Sequence, residues 1–123
     1  MLQTLVMPSA ILFFGWNTLF VIPTRDIIWV YGSVTTCRMN FIPYMKEHQV
    51  FLLTRRQETF MLGMTTTGPI TKKRPSDDAI EQIRQVLSPY RKGIIYGWSE
   101  QVQKFVHDNF AGAVSYVDQK SNE

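Results

Sequence analysis

The chain has 123 residues, of which 45% are hydrophobic and 19% charged, with a net charge of +3 and a single cysteine. That length supports one domain with its own core, and that balance excludes a chain that stays disordered. The lone Cys37 excludes an intramolecular disulfide framework and favours a reducing, cytoplasmic setting.

Charge is placed unevenly. Between Arg38 and Lys92, ten Lys or Arg stand against five acids, whereas the remainder carries three against five. Such a surplus favours an anionic partner but falls short of the density of a dedicated nucleic-acid binder.

No charge precedes Arg25, so residues 1–24 are long enough to cross a bilayer. Pro8, Gly15 and Asn17 interrupt that stretch, and no cluster of Lys or Arg flanks it. The same lack of basic residues argues against a secretory signal. A hairpin fits better: AILFF (10–14) and TLFVI (18–22) flank GWN (15–17), whose Gly and Asn tolerate positive φ.

After Pro23 the run RDIIWVYG (25–32) predicts a strand. Alternation puts Ile28 and Val30 on one face and Ile27, Trp29 and Tyr31 on the other, so both faces need cover. CRMNFIPY (37–44) predicts a strand bent or ended at Pro43, and MKEH (45–48) a polar turn. QVFLLT (49–54) and ETFMLGM (58–64) pair across RRQ, with Arg55 and Arg56 at the tip to discourage edge pairing.

TTTGPITKKRP (65–75) predicts a loop, and helical spacing begins at Ser76. Ser76 serves as N-cap, Asp77, Asp78 and Glu81 load the first turns, and Ile80, Ile83, Val86 and Leu87 share one face. GIIY (93–96) reads as a short strand. Ser99 then caps a second helix over 100–112, with Val102, Phe105, Val106 and Phe110 inward and Gly112 as the stop. AVSYV (113–117) reads as an edge strand and 118–123 as a flexible tail, which makes residues 1–117 the domain. The expected fold class is α+β: a curled antiparallel meander of about six short strands followed by helix–strand–helix.

The ordered segments IPTRDIIWVYG (22–32), NFIP (40–43), VFLLTR (50–55), the amphipathic helix and GIIYGWS (93–99) resemble a family of uncharacterised bacterial domains with a pleckstrin-homology-like character. The likeness covers roughly residues 10–112 by the order of strands and helices. It implies a partial barrel and a role in binding or scaffolding, and it carries over no activity.

Lys72, Lys73 and Arg74, beside Thr71, form the candidate anion-binding site, because adjacent cations on a loop can grip phosphate oxygens or lipid headgroups. The rival reading is a solubilising loop that balances Asp77 and Asp78. Tyr96, Trp98 and Lys92 form a candidate ligand-binding lining at the start of the second helix, against the reading of the two rings as core lids. Trp29 and Tyr31 read as core. His48 falls in a turn and His107 on a helix, and neither stands with Asp108 or Cys37 at a metal-like spacing. GxSxG, P-loop, HExxH and CxxC patterns are absent.

The expectation is a non-catalytic binding or assembly module with no cofactor and no metal. Its partner is a protein, a second copy of the chain or an anionic lipid surface. The alternatives are a small-molecule-binding domain or small enzyme with a pocket near Trp98, and a membrane-anchored domain that uses residues 1–22.

Overall fold

The computed structural model describes residues 4–15 and 17–122; the central residue of the GWN turn, Trp16, lies outside the described residues. The fold is α+β. Six strands come first: β1 (Thr4–Val6), β2 (Ala10–Gly15), β3 (Thr18–Pro23), β4 (Ile27–Met39), β5 (Ile42–Thr54) and β6 (Thr59–Thr67). Then follow α1 (Pro75–Leu87), β7 (Ile95–Tyr96), α2 (Glu100–Asp108) and α3 (Phe110–Ser121). The strands divide into two sheets, ordered β1-β2-β3 and β6-β5-β4-β7. All these pairings are antiparallel except β4 with β7.

The first hairpin forms where Gly15 and Asn17 predict it, with Gly15 opposite Thr18 and Asn17 at φ 61°. Its inward residues, Ile11, Phe13 and Ile22, are buried. Phe13 stacks on Phe20 at 5.0 Å between centroids, and Phe60 from β6 meets both rings at 5.6 and 5.7 Å. Residues 1–22 thus contribute strands where they are described, and no helix among the described residues is long and apolar enough to cross a membrane.

The four-stranded sheet is covered on both faces. Ile27, Val30, Val50, Leu52 and Leu62 pack against the small sheet and against Ile80, Ile83 and Leu87 of α1. On the opposite face, Ile28, Trp29 and Leu53 pack against Val106 of α2 and Ala113 and Val117 of α3. Tyr31 continues that face, stacked on Trp29 at 4.1 Å and on Phe51 at 5.5 Å.

The facing of β4 differs from simple alternation. Ile27 pairs with Thr54 and Trp29 with Leu53, so Ile28 is an extra residue in a β-bulge. The bulge turns Ile28 to the same side as Trp29 and Tyr31 and returns Ile27 to the side of Val30. One inserted residue reverses the phase of a period-two pattern.

Residues 37–54 also fold differently from the sequence expectation. The chain reverses at Asn40 and Phe41, with φ of 51° and 67°, so Met39 faces Ile42 across a two-residue turn. Residues 45–48 lie inside the continuous strand β5, and Pro43 sits beside a register shift where a missing N–H is tolerated.

Helix α1 starts two residues early, with Arg74 rather than Ser76 in the cap position. Pro75 occupies its first turn and Ser76, expected as the cap, is buried. Ser76 packs on Gly32 of β4, where an added Cβ would stand 3.1 Å from the serine Cβ and Oγ. Ser99 does cap α2, its Oγ accepting from the Val102 N–H at 3.1 Å. Phe105, expected inward, lies on the outer side of α2 and meets Tyr116 edge-on at 6.3 Å.

The chain then breaks at Asn109, which closes α2 and opens α3 through Oδ1, accepting from the Gly112 N–H at 3.1 Å. Residues 113–117, expected as a strand, are helical, because Ala113, Val114 and Val117 share the face that meets the sheet. Residues 118–121, read as a tail, complete α3, and Asp118 anchors an ion cluster. It receives Arg55 at 2.9 Å and also Arg91, while Arg55 reaches Asp26 at 3.5 Å.

Candidate functional site: a cationic cleft beside the long hairpin

Residues 68–74 connect β6 to α1 and are held at both ends. Gly68 and Pro69 stop the strand, and Pro75 with buried Ser76 pins the helix start on Gly32. The Thr71 Oγ1 accepts from the Lys73 N–H at 3.3 Å, which folds the basic stretch into a turn. Lys72, Lys73 and Arg74 are exposed.

These three cations line a cleft of about 390 Å³ with Val34 of β4 and Lys46 and His48 of β5. Register explains the meeting. Lys46 pairs with Thr67 and His48 with Thr65, so the side of β5 that carries Val50 inward carries His48 and Lys46 toward the loop that leaves β6. Among the described residues, none of Lys46, Lys72, Lys73 and Arg74 makes an ion pair.

His48 is only 3% exposed and forms the inner wall of the cleft. Its Nε2 lies 2.8 Å from the Thr67 Oγ1, and its Nδ1 has no partner among the described residues. The sequence reading of MKEH as a turn misplaces this histidine. The period of two through Leu52, Val50 and His48 is the signal that assigns it to a buried face.

Arg74 also borders a second cleft of about 390 Å³ with Trp98, Tyr31 and Asp77. The second sequence-derived trio does not gather there. Trp98 is half exposed at this rim, whereas Tyr96 turns into the core beside α1. Burial, opposed in part by Arg84, pushes the Tyr96 phenol up to about 12. Lys92 is exposed ahead of β7. The turn between Tyr96 and Trp98 is fixed by Gly97 at φ 86°. Its N–H donates to the Val30 carbonyl at 2.8 Å, and its carbonyl accepts from the Trp29 Nε1–H at 2.7 Å.

A third hollow, about 510 Å³, runs between α1 and the sheets and is walled mainly by Val6, Val50, Leu62, Ile83 and Val86. No group of three or more His, Cys, Asp or Glu among the described residues is arranged to hold a metal. Desolvation, and then the neighbouring Glu47 carboxylate, raise the Cys37 thiol above its ordinary range, which disfavours the thiolate a nucleophile requires.

No family model, no curated protein and no solved structure matches the chain.

Proposed function

We propose that this domain is a non-catalytic binding module that engages an anionic surface through the cleft between the β6–α1 loop and the β4–β5 hairpin. One observation carries the reading: four cations from two elements, Lys46 and Lys72–Arg74, converge on one cleft and none has an ion pair among the described residues. Charges that only solubilise a loop have no need of a fourth, half-buried cation from a neighbouring strand. The likeness to pleckstrin-homology-like domains belongs to the same proposal. Supporting it are the run of antiparallel strands closed by helices and the basic loop at the sheet end. A cytoplasmic, membrane-associated placement goes with it.

The test is sedimentation of the full chain with anionic and with neutral vesicles. Each Lys or Arg at an anionic surface contributes about 1 kcal/mol, so changing Lys72, Lys73 and Arg74 to Ala should lower binding to anionic vesicles roughly a hundredfold. Binding should also weaken steeply with salt. Equal pelleting by wild type and triple variant would refute the assignment.

A second reading, a protein partner or a second copy, is favoured by the outer face of the small sheet. Leu5, Phe14, Leu19 and Val21 are all exposed there. Light scattering on a size-exclusion column tests it: a wild-type dimer that Val21→Lys converts to a monomer supports this reading, and a monomeric wild type removes the self-association form of it.

A further inference from the structure

The β4–β5 hairpin runs on past the cationic cleft, and its tip and the β6–α1 loop carry the two most exposed apolar side chains of the described residues, Phe41 and Ile70. Phe41 is 95% exposed, Ile42 68% and Met39 67%, and Tyr44 is half exposed. All four belong to the tip of the β4–β5 hairpin. The strand register puts Ile70, 93% exposed, at the same end, because β6 runs back toward the tip and its last residue, Thr67, pairs with Lys46. Lys46 lies five positions beyond Phe41, one of them bulged out of register, so the tip projects about 13 Å past the cleft along the strand.

The turn itself is costly. A two-residue hairpin turn with positive φ at both positions favours Asn followed by Gly. Here the second position is Phe41 at φ 67°, a conformation a bulky residue rarely adopts. The ring is left almost wholly to solvent, so packing within the fold does not account for it. Backbone strain of this kind collects at sites of function.

Charge selects the occupant. Arg38 stands beside the tip, and Lys46, Lys72, Lys73 and Arg74 stand behind it, while no acid occurs in 38–46 or 68–76. An apolar point within a basic collar fits an anionic bilayer, whose headgroups meet the cations while the point enters the acyl boundary. We infer that the β4–β5 hairpin tip is a wedge that inserts into the interface of an anionic membrane. The inference rests on the anionic-surface reading above and adds the depth and the residues of contact.

Phe41→Gly separates function from folding, since glycine relieves the positive φ while removing the ring. The full-length variant should melt at or above the wild-type temperature, yet bind phosphatidylcholine–phosphatidylserine vesicles at least about tenfold more weakly. Phe41→Trp should bind as wild type does, and its added indole emission should shift to the blue and be quenched by brominated acyl chains. Anionic vesicle binding that the triple Ala change abolishes but Phe41→Gly leaves intact would overturn the wedge and spare the charge-based reading. So would an added emission in Phe41→Trp that brominated chains leave unquenched. Failure of wild type to bind anionic vesicles overturns both. A self-association lost in Phe41→Gly without any vesicle binding would make the tip a protein contact and overturn the wedge.

Discussion

Gly93 lies just ahead of β7, against the C-terminal helix, and of the glycines with described surroundings it is the one where an added Cβ meets the closest contact, so Gly93→Ala probes that packing. A Cβ at this position would stand 2.1 Å from the Val117 carbonyl oxygen, 2.7 Å from the Ser121 Oγ and 2.9 Å from the Val117 carbonyl carbon. Tolerable Cβ contacts begin near 3.0 Å, so backbone must retreat by about 0.9 Å. The retreat draws α3 off the sheet at Val117, which is fully buried, and lengthens the 3.0 Å bond from the Gly93 N–H to Ser121 Oγ. Overpacking of this kind costs about 1–3 kcal/mol and a weakened, partly buried hydrogen bond about 1 more. A loss of about 3 kcal/mol lowers the melting temperature by roughly 10 °C for a domain this size. Thermal and urea unfolding followed by circular dichroism measure it. Gly68→Ala is the control, since nothing lies within 4 Å of its Cβ position, and it should shift stability by less than about 1 kcal/mol. If both variants melt together, α3 does not rest on the 93–94 backbone as described.

Two further outcomes follow from the polar contacts. Burial draws the Asp118 carboxyl upward, but hydrogen bonds from Arg91 and then Arg55 outweigh it and hold the group below its ordinary value. Its contribution is therefore complete above the unfolded pKa near 3.8 and fades as pH falls through the lower folded value. Asp118→Asn should cost about 1 kcal/mol in urea titrations at pH 7, modest because the side chain is partly solvated. That gap should close below about pH 4, and a gap that widens there would contradict the ion cluster. Trp29→Phe removes the donor to the Gly97 carbonyl and should cost about 1–3 kcal/mol, while broadened NMR signals at Gly97 and Trp98 report a loosened turn.

Much of this architecture is legible in residue order, and the rest depends on register. Helix α1 is announced by Ile80, Ile83 and Leu87 at helical spacing, and the first hairpin by Gly15 and Asn17. The bulge at Ile28 leaves no mark, because an extra isoleucine in a run of apolar residues changes neither composition nor length enough to be read. The turn at Asn40–Phe41 lacks the glycine that advertises such turns, so Pro43 draws the expected bend two or three residues late. Val114 and Val117 favour strands by type, and only the cover they give Trp29 and Ile28 makes them helical. The loop cations stand adjacent in sequence and are plain to see. Lys46 and His48 join them through cross-strand pairing, which no local pattern contains.

The parallel pairing of Trp29 and Val30 with Ile95 and Tyr96 has a consequence for a chain still being made. Ile95 follows Trp29 by 66 positions in the sequence, and synthesis at about 5–20 residues per second takes roughly 3–13 s to supply them. Throughout that interval the β7-facing edge of β4 is open to any other nascent strand, and Ile28 and Trp29 wait longer still, for α2 and α3. A stalled or truncated product ending before residue 95 would keep that edge for good. Association with its own copies through that edge would be its expected fate, and in the full chain the two residues of β7 close the edge at Trp29 and Val30.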